Sequence, residues 1–178
     1  MKSLILSVAL LLVVAGCSKA PGPVASSQPE VPATNVTQRE LALPTKAQPK
    51  LQAAKLYIGP AEIKAELAHT MQQLQTGMMF RTNVNEDEGM LLMFSVPHRA
   101  GFWMKNTPVP LSAGYIDPDG VLLEIHKLEP FNTNTVFAGS DRVQYVLETA
   151  QGWFERHSVH EGMVIRTESG TLRHTFLR

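Results

Sequence analysis

The chain of 178 residues holds a single cysteine, Cys17, and no excess of either charge, with 16 basic and 16 acidic residues. One thiol excludes an intramolecular disulfide and a cysteine-based metal site, so the fold must be held by packing. A formal net charge of zero gives no basic face for a phosphate backbone, and no nucleic-acid partner is expected. The sequence has no Gly-x-Ser-x-Gly elbow and no phosphate-cradling glycine loop. Its longest apolar run, Leu4 to Val14, is too short for a bilayer-spanning helix. Trp, Tyr, Phe and His are all missing before residue 51.

What is present divides the chain into three parts. Met1 and Lys2 followed by Leu4 to Val14 read as an export signal over residues 1–16. The run ends in Val14-Ala15-Gly16-Cys17, small residues before a cysteine, which resembles the lipobox of bacterial lipoproteins. Cys17 is then expected to carry the lipid, and two or three acyl chains hold a protein on a membrane almost irreversibly. Ser18 in place of Asp points to the outer membrane, facing the periplasm, in a cell envelope with two membranes. Residues 17–50 are rich in Pro, Ala, Ser and Gln without a sustained apolar period, so a flexible tether is expected there.

Residues 51–178 hold 11 basic and 14 acidic residues, a balance of about −3, and are long enough for one core. Leu56 to Ile58 leads to the Gly59-Pro60 turn, after which Ile63, Ala65 and Leu67 alternate with Lys64 and Glu66 as in a half-buried strand. The same stretch also fits a helical stripe through Met71 and Leu74; strand first, then helix is the reading taken. Thr70 suits an N-cap and Gly77 a helix end, bounding a helix at Met71 to Thr76. Gly89 to Phe94, Phe102 to Thr107, Ser112 to Asp117, Val121 to His126, Val143 to Thr149, Met163 to Thr167 and Leu172 to Leu177 read as strands. Trp153 to His157 reads as one helical turn. The expectation is a mainly β domain, sandwich or barrel-like, with one or two short helices.

The informative motifs are Gly77-Met78-Met79-Phe80-Arg81, Gly89 to Phe94, Phe102-Trp103-Met104-Lys105-Asn106-Thr107 and Tyr145-Val146-Leu147-Glu148. In this order, with Ala68-His69-Thr70 before them, they resemble the prokaryotic family called domain of unknown function 192. The resemblance implies a compact, mainly β domain and no established activity. Two positions depart from the family pattern: Ser112 and Met163 stand where it has Asp.

A strand over Phe102 to Thr107 would set Trp103, Lys105 and Thr107 on one face and Phe102, Met104 and Asn106 on the other. An amine beside an indole, met by Glu148 or Arg81, would make a site for a small polar or carbohydrate-like ligand. The opposing reading is scaffolding, with Lys105 paired to Glu148 and Asn106 satisfying loop backbone. A third is a hydrolytic enzyme with Glu148 or Asp117 as general base; a fourth is an interaction module without a small ligand. The methionines before residue 110 could offer thioethers to Cu(I), but they equally fill irregular cores. His157-x-x-His160-Glu161 lacks a third zinc ligand, and neither a metal nor a cofactor is expected.

Overall fold

The computed structural model describes residues 43–176. Cys17, the expected export signal and most of the expected tether lie outside the described residues. The tether was expected to run through Lys50, yet its last residues are tied to the domain. Gln48 Nε2 donates to Gly77 O at 2.9 Å, and Lys50 Nζ lies 3.2 Å from Glu66 Oε1 and 3.0 Å from Glu88 Oε2.

β1 (Ala53–Ile58) and β2 (Ala61–Ala68) form an antiparallel hairpin in register Ile58 to Ala61. The turn needs a positive φ at its first central position, and Gly59 supplies 56°. Along β2, Ala61, Ile63 and Ala65 are buried while Glu62 and Lys64 are exposed, which is the period of a strand rather than of a helix. α1 (Met71–Thr76) follows at the expected residues. Gln73 N donates to Thr70 Oγ1 at 3.3 Å, and Thr70 N donates to Gln73 Oε1 at 3.0 Å, so a capping box closes its start.

β3 (Glu88–His98) runs parallel to β2 and antiparallel to β8 (Val143–Ala150), which pairs in turn with β5 (Leu111–Ile116); β5 pairs with β6 (Leu122–Leu128). On the other side β1 pairs with β9 (Ile165–Thr167), and β9 with β10 (Gly170–Thr171). The result is one mixed sheet in the order β10-β9-β1-β2-β3-β8-β5-β6. A two-residue bridge, Val121 to Val164, links its far ends at one corner without closing a barrel. β4 (Gly101–Phe102) and β7 (Val136–Phe137) form a separate two-stranded ribbon. The domain is mainly β, as its patterning predicts.

Both faces of the sheet are covered, which explains why β5 and β8 are buried along nearly their whole length. One core gathers Leu56, Ile63, Leu91, Leu147, Trp153 and Phe154; the other gathers Met78, Met90, Leu92, Met104, Tyr115 and Val146. Leu91 and Leu147 belong to the first, and their neighbours Leu92 and Val146 to the second, because successive strand residues alternate in direction. Glu148 shares the parity of Val146 and therefore points into the second core.

Two expected strands are replaced. Leu172–Phe176 form a helix, α3, capped by Thr171, whose Oγ1 accepts from His174 N at 3.2 Å. The strand at Phe102 ends there, and Trp103 to Thr107 turn. α2 (Trp153–Arg156) is the expected single helical turn. Ser112, one of the departures from the family pattern, is buried and accepts from Gly152 N at 3.0 Å just before α2.

Candidate functional site

The turn after β4 is made by backbone bonds that reach far along the chain. Met104 N donates to Asn132 O at 2.7 Å, Phe80 N to Asn106 O at 2.7 Å, and Phe131 N to Thr107 O at 3.1 Å. Thr107 N also donates back to Met104 O at 3.0 Å, and Asn106 takes φ 58°, a left-handed value that Asn tolerates better than most residues. The two-residue period therefore stops at Phe102. Met104 and Thr107 turn inward and are buried, while Trp103 stays 40% exposed.

Between this turn, α1 with the Gly77 to Met79 segment behind it, and the ends of β3 and β8 lies a cavity of about 220 Å³. Leu92, Phe94, Phe102, Met78, Met79 and Met104 form its apolar walls. Thr76, Thr107, His98 and Glu148 supply the polar side, and Trp103 stands at its exposed border. A hole of roughly 150 Å³ holds a benzene ring, so this one suits a ligand of that order.

Glu148 is the one carboxylate among the described residues lining the cavity. The residue is 5% exposed, and its Oε2 is buried with no hydrogen-bond partner among the described residues. Burial alone pushes its carboxyl up to about 7, since no cation among the described residues stands beside it to hold the charge. A carboxylate in such surroundings is half protonated near neutrality, able to accept from a donor or to donate to an acceptor.

The other sequence-predicted residues go elsewhere. Arg81 reaches Glu66 rather than Glu148: its Nη2 lies 3.0 Å from Glu66 Oε2, which also accepts from Leu51 N at 2.8 Å. Lys105 does not pair with Glu148; its Nζ stands 5.2 Å from the centroid of the Trp103 ring, a cation–π contact at the border of the cavity. Asn106 contributes its backbone conformation and its carbonyl. Asp117 anchors the β5–β6 turn, its Oδ1 accepting from Asp119 N at 2.9 Å and Val121 N at 3.0 Å. His157 packs on Trp153 with ring centroids 4.5 Å apart. Of the six candidate ligand residues, Trp103 and Glu148 line the cavity and Lys105 adjoins it through the indole. Thr107, grouped with Trp103 and Lys105 in the sequence, also lines the cavity, as do Met78, Met79 and Met104, which the sequence offered only as copper ligands or core; Thr76 and His98 were not foreseen. The Gly77-Met78-Met79 motif is a signal for its own part of the wall, since Gly77 lies next to Glu148 in space.

The family model DUF192, described as "Uncharacterized ACR", matches residues 54–167. The chain belongs to the DUF192 family. That match covers both walls of the cavity and Glu148. Among solved structures, the chain is similar to a crystal structure from Sinorhizobium meliloti described as a putative transcription regulator. The two share 28% identity with a TM-score of 0.64, over 68% of this chain and 98% of that one. It is also similar to a protein of unknown function from Novosphingobium aromaticivorans, with 27% identity and a TM-score of 0.62, over 67% of this chain and 90% of that one. In the comparison with curated proteins, nothing matches.

Proposed function

We infer that this DUF192 domain is a binding module for a small polar ligand, held with its polar group on Glu148 and its body against the methionine and aromatic walls. The observation that supports this is the unpartnered carboxylate oxygen buried in the cavity. An unsatisfied buried polar group is costly, and a ligand that supplies the missing partner offsets that cost. Trp103 at the border offers a flat apolar surface beside the Lys105 charge, a suitable lip for a ligand with a polar edge. Following the lipobox resemblance at Cys17, the module is carried on a lipid anchor in the cell envelope, at the outer membrane facing the periplasm where two membranes exist. Mass spectrometry of the protein taken from cells tests that part: an unmodified Cys17 thiol would remove the anchor.

The methionines give a direct test of the cavity. In full-length protein labelled at the methionine methyl carbons, a panel of small polar compounds should shift Met78, Met79 and Met104 and leave the exposed Met71 unmoved. A panel that moves none of the three cavity methyls would remove the reading. A second reading, acid–base catalysis by Glu148, is favoured by the position of its carboxyl near 7, where a group can give and take protons at neutral pH. Hydrolysis of an offered ester or glycoside by wild type, absent in Glu148→Gln, would establish it.

A further inference from the structure

The geometry points to a small organic ammonium compound as the ligand of the Glu148 cavity, the carboxylate meeting the charged nitrogen and the aromatic and thioether walls meeting its alkyl part. This rests on the cavity being a ligand site and adds the charge of its occupant. The floor presents one acidic side chain with a buried, unpartnered oxygen, and Lys105 and Arg81, the two cations that the sequence places near it, are engaged with Trp103 and Glu66. Among the described residues, no cation therefore pairs with Glu148. Phe94 and Phe102 line the same space, and aromatic rings carry a negative potential on their faces that attracts ammonium groups. Met78, Met79 and Met104 add polarizable sulfur and flexible side chains able to close around an alkyl chain. A neutral alcohol would find one acceptor here; an ammonium finds the acceptor, a countercharge and the rings. The volume of about 220 Å³ limits the occupant to a few carbons around the nitrogen.

The groups facing Glu148 are few. From β5 comes the Tyr115 phenol, whose pKa burial pushes up and whose hydroxyl donates to Val136 O at 3.0 Å, so it stays neutral through the physiological range. His98, from the end of β3, is the other titratable side chain lining the cavity. α1 and the segment after it bring no charged side chain to the lining, where Gln75 and Thr76 are their polar residues. Lys105 stands on the indole at the border.

The test uses full-length protein labelled at the methionine methyls, titrated with n-propylammonium, 1-propanol and propionate, three probes of similar shape and different charge. Propylammonium is expected to bind at least tenfold more tightly than the alcohol, and propionate to bind more weakly than either. Its affinity should rise by about tenfold from pH 6 to pH 8.5, as a carboxyl with a midpoint near 7 passes from mostly protonated to ionised. Glu148→Gln should abolish both the preference for the cation and the pH dependence while keeping the native methyl spectrum. Equal binding of alcohol and ammonium, or tighter binding of propionate, overturns the charge assignment and leaves the cavity a ligand site. Silence of all three cavity methyls with every probe overturns the ligand site itself. A pH dependence that survives in Glu148→Gln also overturns the proposal. An ammonium group can arrive on a free amine or on a lipid headgroup, and phosphatidylethanolamine vesicles separate the two sources. Shifts of the cavity methyls with these vesicles assign a headgroup, and no shift alongside propylammonium binding assigns a free amine.

Discussion

Gly77 faces Glu148 across the wall of the cavity: a β-carbon on Gly77 would stand 3.6 Å from Glu148 Oε2. The backbone there has φ 47° and ψ −129°, a combination that side-chain-bearing residues rarely adopt. Gly77 thus ends α1 and lets the chain pass close to the carboxylate. The Gly77→Ala variant should lose about 1–2 kcal/mol of stability from backbone strain. Its methyl should also reduce the affinity for propylammonium by occupying space beside the acceptor. Urea unfolding and a methyl titration read the two effects separately. Wild-type stability in this variant would mean that the conformation is not needed.

Glu148 should leave a mark on stability as a function of pH. Its carboxyl is raised from 4.5 to about 7 in the folded protein, so between those values the native state holds more protons than the unfolded chain. Stability contributed by the neutral form is present below pH 4.5 and is lost as pH rises through 7. Over that window the loss is on the order of 3 kcal/mol. Glu148→Gln removes the titrating group, so the variant should gain on wild type by that order between pH 4 and pH 8. Denaturant unfolding of both proteins at the two pH values measures it, and an identical pH dependence would contradict the burial of an unpaired carboxylate.

How far the sequence foretells this arrangement differs from element to element. β2 and α1 are legible because their signals are local: Glu62 and Lys64 alternate with buried residues, and Thr70 and Gly77 mark both ends of the helix. The turn after Phe102 is not legible, because the aromatic and β-branched residues from Phe102 to Thr107 favour a strand. What overrides that preference is backbone pairing with Phe80, Phe131 and Asn132, residues far away in the chain. α3 has a readable cap in Thr171, but Leu172, Thr175 and Phe176 also suit a strand. In the site, Trp103 and Glu148 stand out as residue types. The pairing of Arg81 with Glu66 could not be told from one with Glu148, since charge sign alone selects neither.

Arg81 offers a clean separation of fold from site. Its side chain is 13% exposed and bonded to Glu66, which Lys50 and Leu51 N also hold. Arg81→Ala leaves Glu66 in place with those two partners, so the loss should be about 2 kcal/mol, below that for a fully orphaned buried charge. Affinity for propylammonium should be unchanged, because Arg81 does not line the cavity. A variant that folds stably but no longer binds the probe would return Arg81 to the site.

Asp117 presents the opposite case from Glu148, a carboxylate whose oxygens are already used. Oδ1 accepts two backbone N–H groups of the Asp117 to Val121 turn, and Oδ2 lies 3.2 Å from Nη2 of Arg142, a largely exposed side chain. Asparagine can keep the Oδ1 acceptor while giving up the charge. Asp117→Asn should therefore cost no more than about 0.5 kcal/mol, the scale of an exposed ion pair, whereas Asp117→Ala should cost about 1–2 kcal/mol by leaving the turn donors unmet. Neither substitution should alter the cavity methyls or any reaction that Glu148 supports. Thermal unfolding ranks the three proteins. Equal losses for Asn and Ala would show that the charge, not the acceptor, holds the turn, and a change at Met78 or Met104 would connect Asp117 to the site after all.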